Sequence, residues 1–546
     1  MHNFKALKYW FPLFGALFFA LGLWLGYVLC SARHDSSGDK KLRELFGYIH
    51  DNYVDEVDAD SLVEMSIPAI LSNLDPHSAY IAAKDLEEAN LQLKGSFSGV
   101  GIQFQIFRDT VNVVEVTEGG PAEKAGLQPG DRIVTVDGKN FTGKDMTEDR
   151  VRETLRGARQ SCVRLGIVRP GSGKTVQYTL TRGEIPLKSI ETAYMVDKET
   201  GLIRVNNFGE QTYAEFLQAL NALRVEGAKN YIVDLRGNTG GYMETAILMA
   251  NEFLPAGKVI VSTRGRRTPD DIVLSDGTGA FSDFGLVVLI DEMSASSSEI
   301  FAGAMQDHDR ALVLGRRSFG KGLVQRPISF EDGSELRLTV QRYYTPSGRS
   351  IQKEYRPGHN DDYGLELYNR IRSGELMNED SIKLHKDLVF TTEHGREVYG
   401  GGGIVPDIFV PNDTSGVTNY YIDVANKGLL MKFAYEYCDL NRQDLSKAKS
   451  VSSLMGRLPS DDVLLSSFIY YATTQGVPAR WYYIKLSRNL IVTQLKGLIA
   501  RNVLGSPAYY EVVNATDNNV SRALSEIRNG NAAAPIKPKQ KKSAKK

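Results

Sequence analysis

Residues 286–299 read LVVLIDEMSASSSE, a short apolar run followed by a serine-rich turn. The run at 286–291 has the length of a buried strand, and the residues after it, 297–306, predict a helix. The alternation continues on both sides over residues 201–345, with strands predicted at 201–205, 230–235 and 311–315 and helices at 213–223 and 244–253. The pattern predicts an α/β core with a serine at a strand-to-helix junction.

The composition fits a large globular protein without bulk charge. The 546 residues include 65 Lys and Arg against 66 Asp and Glu, a net charge of −1, so the charge balance does not draw the protein onto nucleic acid. Hydrophobic residues make up 42% and charged residues 24%, which excludes wholesale disorder. Cys30, Cys162 and Cys438 lie far apart in sequence, so neither a disulfide scaffold nor a cysteine-ligated metal site is expected. At roughly 150 residues per domain, the length predicts three or four domains.

An uncharged run at residues 9–32 follows Lys5 and Lys8. As a helix this run would be about 36 Å long, enough to cross the apolar core of a bilayer. The lysines before it favour an N-terminus on the cytoplasmic side. Residues 1–35 are therefore interpreted as a signal anchor, which the length of the run favours, or as a cleaved signal peptide. Either interpretation puts the residues that follow outside the cytoplasm.

Other segments differ from the α/β core in composition and in the spacing of their apolar residues. Residues 40–93 have the apolar spacing of helices, a stretch that Pro76 ends. Residues 264–285 are polar and rich in glycine, which predicts a surface loop. Residues 415–528 are predicted to be mainly helical. Residues 531–546 hold six lysines and no acidic residue, which predicts a disordered basic tail.

Residues 95–183 alternate glycine turns with β-rich runs and predict a small β-rich domain. Within it, residues 126–138 read GLQPGDRIVTVDG and residues 98–104 read SGVGIQF. Together these segments resemble a PDZ domain, in which backbone N–H groups bind a terminal carboxylate and a strand accepts an extended peptide. The alternative is that the glycines serve only tight turns. The expected peptide-binding residues are Gly99, Val100, Gly101 and Ile102.

The serine-rich turn is a candidate for nucleophilic chemistry. A serine beside a helix N-terminus lies near free N–H groups, which can stabilise an oxyanion. Serine is also an ordinary N-cap, and one of Ser296, Ser297 and Ser298 is expected to cap the helix. The sequence contains neither a GxSxG elbow nor an HExxH pair, so a histidine base is not indicated.

Lysine is the other candidate base. Residues 318–325 read SFGKGLVQ, in which glycines and apolar residues surround Lys321. Desolvation lowers the pKa of a lysine, which makes a neutral amine available as a base. If residues 321–325 are extended, Lys321 and Gln325 share one face, and Gln325 can orient the amine. The alternative is a solvent-exposed lysine in a turn.

A third motif, DLRGNTGG at residues 234–241, is a buried strand that enters a glycine turn, whose amides can supply an oxyanion donor. With these motifs in order, residues 40–412 resemble the carboxyl-terminal processing proteases, also called tail-specific proteases. Further agreeing segments are NYVD at 52–55, LDPHS at 74–78, QD at 306–307, YTPSGR at 344–349 and GGGIVPD at 401–407.

The resemblance implies a serine endopeptidase, and the apolar run at 9–32 places it outside the cytoplasm. The expected fold is multidomain α+β. The resemblance implies a crotonase-like (ClpP-like) α/β protease core and an inserted PDZ domain that recognises the C-terminal tails of protein substrates. The helical N-terminal and C-terminal regions are predicted from the sequence pattern instead. By position in the motifs, Ser296 would be the nucleophile, Lys321 the general base and Gln325 the residue that orients the lysine.

The resemblance also implies an oxyanion hole formed by the Ser297 N–H and an amide of Gly240 or Gly241. The family usually has alanine after the nucleophile, and this chain has Ser297 there. This difference leaves Ser297 or Ser298 as alternative attacking groups.

The predicted division of the chain follows from these assignments. It is 1–35 for the signal segment, 36–94 for the N-terminal helical region, 95–184 for the PDZ domain, 185–412 for the protease core, 413–530 for the C-terminal helical region and 531–546 for the basic tail. We expect no metal, no other cofactor and no nucleic acid. The expected location is the bacterial periplasm. The sequence leaves three kinds of partner undecided: the membrane (through the N-terminal helix), a second copy of the chain in a homo-oligomer, and an adaptor protein.

Two other functions are weighed against the protease. A catalytically silent PDZ adaptor or chaperone would lack Ser296 or Lys321, and the sequence has both. Acyl-CoA chemistry on a crotonase-like core is opposed by the PDZ pattern and by the apolar segment at 9–32, since acyl-CoA is cytoplasmic.

Overall fold

The structure is a computed structural model that describes residues 16–22, 24, 37–169, 173–533, 535 and 536. The chain divides into the compact units Met1–Leu71 and Ser72–Lys546. The predicted apolar segment at 9–32 lies mostly outside the described residues, and no described helix combines the length and the apolar character that crossing a bilayer requires.

The first unit contains the helices α1 (Ser37–Asn52) and α2 (Ala59–Leu71). Helix α2 begins where Asp58 accepts hydrogen bonds from the Asp60 N–H and from the Ser61 hydroxyl, at 3.1 and 2.7 Å. A carboxylate at this position satisfies donors that the first turn of a helix leaves open.

The second unit alternates helices and strands. Its helices are α3 (Ala83–Lys94), α4 (Pro121–Ala125), α5 (Glu148–Leu155), α6 (Thr212–Glu226), α7 (Met243–Asn251), α8 (Ser297–Asp307), α9 (Asn360–Arg372), α10 (Asn419–Asn426), α11 (Leu429–Leu440), α12 (Arg442–Leu445), α13 (Val451–Met455), α14 (Asp461–Thr474), α15 (Trp481–Leu504), α16 (Ser506–Asn514) and α17 (Asn518–Arg528), with a 3₁₀ turn at Glu379–Ser381. Its strands are β1 (Ala79–Ile81), β2 (Ser96–Gly99), β3 (Ile102–Phe107), β4 (Thr110–Val116), β5 (Arg132–Val136), β6 (Lys139–Asn140), β7 (Cys162–Val168), β8 (Thr175–Thr181), β9 (Gly183–Pro186), β10 (Ile190–Met195), β11 (Thr200–Val205), β12 (Asn230–Asp234), β13 (Val259–Gly265), β14 (Asp271–Leu274), β15 (Gly285–Ile290), β16 (Leu312–Gly315), β17 (Leu323–Ser329), β18 (Glu335–Tyr344), β19 (Val389–Thr391), β20 (Glu397–Tyr399) and β21 (Ile408–Phe409).

The central sheet has the strand order β10-β11-β12-β15-β16-β21. Strand β10 is antiparallel to its neighbour and the other pairs are parallel. Helices cover both faces, which explains why β12 and β15 are nearly continuous apolar runs. The carboxyl ends of β12 and β15 lie side by side, with Asp234 paired to Leu289, so the glycine turn after β12 and the serine turn after β15 meet at one edge.

Residues 96–186 form a separate sheet with the order β3-β4-β5-β7-β8, in which β6 pairs with β5, and a small sheet of β2 and β9. The apolar core of this β-rich part includes Val111, Val113, Ile133 and Leu165, all fully buried. Helix α5 begins at the N-cap Thr147, whose hydroxyl accepts from the Arg150 N–H at 3.2 Å. This part of the molecule has the strands and the helix of the predicted peptide-binding module.

A further sheet has the order β1-β18-β13-β14, with β17 also paired to β18. Strand β1 lies inside residues 40–93, so the prediction of an all-helical segment there was wrong for that strand. Strand β14 lies inside residues 264–285, and the predicted surface loop is in part an edge strand. Both strands have only three or four residues, and so short an apolar run does not indicate a strand in the sequence.

The C-terminal helices α10–α16 pack around their own apolar core. They contact the β-rich part at several places. The Tyr435 hydroxyl donates to Asn112 Oδ1 at 2.9 Å between two buried residues, and Arg132 pairs with Asp439 at 2.8 Å. A buried polar contact of this kind fixes the mutual orientation of the parts that it joins.

The same helical region also contacts the central sheet. Asp517, the N-cap of α17, pairs with Arg236 at 2.8 Å. Beyond α17, Ala532 and Ile536 are buried in the core of the sheet, and the Ile536 N–H donates to Asp309 O at 2.8 Å. The prediction that disorder begins at residue 531 was therefore wrong for these positions, because two apolar residues among the polar ones pack against the sheet.

Candidate active site

Ser296 lies between β15 and α8 as the N-cap of the helix, with φ of 54° and ψ of −114°. This is a conformation that residues other than glycine rarely adopt, and such strain is concentrated at functional sites. A strained serine on a strand-to-helix turn is the arrangement of a nucleophile elbow. The GxSxG pattern does not occur in the sequence, so a motif search could not identify the elbow.

The neighbouring serines hold the glycine turn. The Ser297 hydroxyl donates to Gly241 O and the Ser298 hydroxyl donates to Asn238 O, each at 2.9 Å. Both serines are buried, whereas Ser296 is half-buried and lines a cavity. The geometry thus assigns Ser297 and Ser298 to the support of the turn and leaves the Ser296 side chain as the one facing open space.

The glycine turn approaches Ser296 closely. The Gly240 N–H donates to Asn238 Oδ1 at 2.8 Å, so this amide already has an acceptor. Within the part of the chain that the structure describes, the N–H groups of Ser297 and Gly241 have no such acceptor. Gly240 and Gly241 are the two glycines predicted for an oxyanion hole. Of these, Gly241 is the one whose backbone N–H is available to donate.

Lys321 lies in the loop before β17, not within the strand. It lines the same cavity of about 1140 Å³ as Ser296, together with Gly240, Gly241 and Gln325. Burial lowers the pKa of the Lys321 amine; Glu299 opposes this shift. The assumption that residues 321–325 are extended does not hold, because the strand begins at Leu323 and has a bulge before Gln325. The two side chains nevertheless meet in one cavity.

Glu299 joins the serine turn to the lysine loop. Its Oε2 accepts from the N–H groups of Ser296 and Lys321, at 2.8 and 2.9 Å. Its Oε1 accepts from the Gly320 N–H at 2.7 Å and from the Ser318 hydroxyl. Burial raises the pKa of Glu299 to about 7, and these four donated hydrogen bonds oppose the rise.

Glu299 has no predicted role in the sequence motifs. A detectable signal was present, because Ser296 and Glu299 have the spacing of a capping box, in which the side chain at N3 returns to the N-cap N–H. The bonds to residues 318–321 were not visible in the sequence, since their donors are two backbone N–H groups and a serine hydroxyl about twenty positions away.

Gln325 lies on β17, and its Nε2 donates to the Thr339 hydroxyl on β18 at 3.1 Å. Tyr343, also on β18, donates its hydroxyl to Lys321 O at 2.6 Å. Strand β18 therefore supports both the lysine loop and the glutamine.

A second cavity, of about 260 Å³, lies in the β-rich part. Its lining includes all four predicted peptide-binding residues, Gly99, Val100, Gly101 and Ile102. Leu155 of α5 faces them across the cavity, and Arg152 and Arg156 line both this groove and the larger cavity. A strand beside a helix with an open groove between them is the geometry that accepts an added peptide strand.

The described residues offer no group of three or more His, Cys, Asp or Glu side chains arranged to hold a metal ion. Ser296, Lys321, Gln325 and the glycine turn bring a hydroxyl, an amine, a carboxamide and backbone N–H groups to the cavity, whose lining also includes carboxylates and guanidinium groups.

Comparison with known proteins finds matches over three parts of the chain. The model of peptidase family S41 matches residues 199–364, that of the PDZ domain matches residues 113–169, and a family of unknown function (DUF8443) matches residues 420–505. The PDZ match begins after the predicted carboxylate-binding turn at 99–102.

Similar proteins carry related names. A carboxy-terminal-processing protease of Bartonella bacilliformis is 37% identical over 314 residues, which cover 57% of this chain and 71% of that protein. The carboxy-terminal processing protease CtpA of Bacillus subtilis is 34% identical, over 58% of this chain and 68% of its own length. Among solved structures, the photosystem II D1 C-terminal processing protease is 31% identical over 58% of this chain and 84% of that chain, with a TM-score of 0.34.

Proposed function

The chain belongs to peptidase family S41, the carboxy-terminal processing proteases, and is a serine-type peptidase of that class; from this premise we propose that it cleaves protein substrates with a Ser296–Lys321 dyad. One observation carries the proposal. Ser296, Lys321 and Gly241 line a single cavity, and Ser296 holds a strained backbone conformation there.

The reaction begins with a proton transfer. The neutral amine of Lys321 takes the proton of the Ser296 hydroxyl, and the oxygen attacks the carbonyl carbon of the substrate amide. The N–H groups of Ser297 and Gly241 donate to the oxyanion as the tetrahedral intermediate forms. The Lys321 ammonium returns the proton to the leaving amine, and an acyl-enzyme remains on Ser296.

Deacylation repeats these steps with water. Lys321, neutral again, takes a proton from a water molecule, which attacks the ester carbonyl. Collapse of the second intermediate releases the carboxylic acid product and restores the Ser296 hydroxyl. Gln325 orients the lysine amine during both steps.

The PDZ domain selects the substrate. A terminal carboxylate binds the turn at Gly99, Val100, Gly101 and Ile102, and the tail extends along β3 opposite Leu155. The apolar lining favours an apolar last residue. Because Arg152 and Arg156 line both cavities, the upstream part of a bound tail has a route past them to Ser296.

The proposal also covers the domains of the chain and its location in the cell. The α/β part at 185–412 is a crotonase-like (ClpP-like) core, 95–184 is the PDZ domain and 413–530 is a separate helical region. The apolar run at 9–32, preceded by Lys5 and Lys8, supports an extracytoplasmic, periplasmic location with a membrane anchor or a cleaved signal peptide.

The test is a cleavage assay with the full chain. The substrate is an unfolded reporter protein that ends in an apolar tail, supplied with a free or an amidated C-terminus. We expect cleavage of the free form, a loss of at least about 10³-fold in both Ser296→Ala and Lys321→Ala, and weaker cleavage of the amidated form.

Lys229→Ala is the matched control. Lys229 is an exposed lysine that pairs with Glu199, and neither residue lines the cavity that contains Ser296. Cleavage that survives Ser296→Ala would contradict the assignment of the nucleophile. Equal cleavage of the two reporter forms would contradict carboxylate recognition by the PDZ domain.

A further inference from the structure

A chain of hydrogen bonds leads from Gln325 away from the cavity. Gln325 Nε2 donates to the Thr339 hydroxyl at 3.1 Å, and that hydroxyl donates to Asp75 Oδ1 at 2.9 Å. Asp75 belongs to the LDPHS motif at 74–78, to which the mechanism above gives no role. The contact joins residues 264 positions apart.

Asp75 is held firmly in place. It is buried, with 6% of its surface exposed. Its Oδ1 accepts from the N–H groups of His77 and Ser78, both at 2.9 Å, and its Oδ2 accepts from the Ser78 hydroxyl at 2.6 Å. The Thr339 N–H in turn donates to Ser78 Oγ at 3.1 Å. The motif therefore presents a fixed carboxylate to the Thr339 hydroxyl.

The direction of these bonds follows from the donors that each group owns. An ionised carboxylate only accepts, so the single proton of the Thr339 hydroxyl goes to Asp75. The same hydroxyl can then only accept from Gln325, which selects the NH₂ side of the amide. The other end of the amide, Oε1, is an acceptor and is turned away from Thr339.

We propose that Asp75 and Thr339 are positioning residues for the proposed dyad: they set the Gln325 amide so that its Oε1 accepts a hydrogen bond from Nζ of Lys321. An amine held in this way by one N–H directs its lone pair at a defined point. Gln325 and Lys321 line the cavity together with Ser296, the group from which the proton is taken. This inference rests on the proposed function and assigns a task to the LDPHS motif within it.

Asp75 also acts on Lys321 through its charge. Four ionisable groups interact with the charge of Lys321. Glu299 and Asp75 favour the protonated lysine and Arg337 opposes it. The fourth group is His77. When Lys321 takes the proton from Ser296 it becomes an ammonium ion, and the Asp75 carboxylate stabilises this charge as it develops. Removal of that charge must therefore change the pH at which Lys321 is protonated.

A double-mutant cycle separates positioning from a purely structural role. Thr339→Val removes the hydroxyl and keeps the shape of the side chain, while Thr339→Ser keeps the hydroxyl. With the reporter assay and the full chain, we expect Thr339→Val to lower kcat by about 10- to 100-fold at unchanged KM, and Thr339→Ser to retain most of the activity.

In a Gln325→Ala background, the same Thr339→Val change is expected to lower kcat by less than about threefold, because the residue through which it acts is gone. An effect of full size in that background would overturn the proposal. So would a Thr339→Val variant that keeps the parent kcat while Gln325→Ala loses activity. If Ser296→Ala or Lys321→Ala keeps the parent activity, the proposed function itself fails. Parent activity in Gln325→Ala would instead overturn only this inference, so the two failures are distinguishable.

The pH profile gives a second readout. In Asp75→Asn, the acid limb of kcat/KM is expected to move to lower pH, since a carboxylate that favours the Lys321 ammonium has been removed. Asp332→Asn is the matched control, because Asp332 is another aspartate that accepts from the N–H and hydroxyl of a nearby serine, Ser334, but lies in the exposed turn between β17 and β18. An unmoved acid limb in Asp75→Asn would contradict the electrostatic part of the proposal.

Discussion

A Cβ atom on Gly240 would lie 2.7 Å from the Cβ atom of Ser296. It would also lie 2.8 Å from Ala295 O, and Gly240 has a φ of +102°, a conformation that favours glycine. A carbon atom does not approach non-bonded atoms so closely, so a side chain at 240 must push the glycine turn away from the serine turn. The close approach of the two turns depends on the missing side chain.

Gly240→Ala is therefore expected to lower kcat by about 10²-fold or more with a smaller effect on KM, since it displaces the N–H groups that would bind the oxyanion. Steady-state cleavage of the reporter measures this. The control is Gly237→Ala in the same turn, at a φ of +74°, where the added atom comes no closer than 3.8 Å to Arg204. Equal losses in both variants would mean that backbone strain, and not the contact with Ser296, is responsible.

Glu299→Gln is expected to reduce both activity and stability. The glutamine amide offers one acceptor oxygen to four donors, and its NH₂ group meets N–H or O–H groups that it cannot accept from. Each buried donor left without an acceptor costs about 1–3 kcal/mol, so the serine turn and the lysine loop should separate and kcat should fall by about 10²-fold. Thermal unfolding and the cleavage assay check the two effects.

The control for that variant is Glu226→Gln at the exposed end of α6, which should leave the midpoint of unfolding and kcat unchanged. Parent-like activity in Glu299→Gln would show that the carboxylate is not needed to hold Ser296 and Lys321 together.

His77 makes the folded state sensitive to acid. Burial, with the charge of Lys321 adding to it, lowers the pKa of His77 from its usual 6.5 to about 4. Between these two values the unfolded chain binds a proton that the folded protein does not, so the free energy of unfolding falls as the pH is lowered from 6.5 to 4. The loss from this group is up to about 3 kcal/mol.

His77→Gln should remove this part of the pH dependence. Chemical denaturation of parent and variant at pH 4, 5, 6 and 7 measures it, and the difference between them is expected to change across that interval. His359→Gln, at an exposed histidine, should follow the parent curve. Parallel curves for the parent and His77→Gln would contradict a buried, neutral His77.

Tyr435→Phe is expected to loosen the contact between α11 and the β-rich part. It removes the hydroxyl that donates to Asn112 Oδ1 and leaves a buried acceptor unpaired, at a cost of about 1–3 kcal/mol. Hydrogen exchange should rise in β4 and α11 while the central sheet keeps its protection. Tyr470→Phe is the control, because the Tyr470 side chain is 75% exposed. Unchanged exchange in Tyr435→Phe would mean that other contacts hold these parts together.

The α/β alternation of the core was readable from the sequence because strands buried on both faces are continuous apolar runs. Residues 230–235 and 286–291 illustrate this, and the structure has β12 and β15 at those positions within one residue at each end. Strand β14 was not readable, since its apolar run at 272–274 is three residues long and an apolar run of four to eight residues is what indicates a strand. Ala532 and Ile536 were missed because lysines dominate the composition around them.

The site was only partly readable. Ser296 and Lys321 stand out as a serine before a helix and a lysine between glycines, and these are local patterns. Glu299 and Asp75 act through backbone N–H groups and hydroxyls of residues that are distant in sequence, and only folding brings those groups together. The strained backbone of Ser296 was equally invisible, because the turn lacks the flanking glycines by which such elbows are recognised.

The ion pair between Arg236 and Asp517 has a consequence for the order in which the protein is made. Arg236 belongs to the turn that approaches Ser296, and its partner lies 281 positions later in the chain. At about 5–20 residues per second, a ribosome reaches Asp517 roughly 15 to 55 s after Arg236. Throughout that interval Arg236 can keep its pair with Asp234 but lacks Asp517. The turn beside Ser296 therefore gains this side-chain support only when the N-cap of α17 has been made.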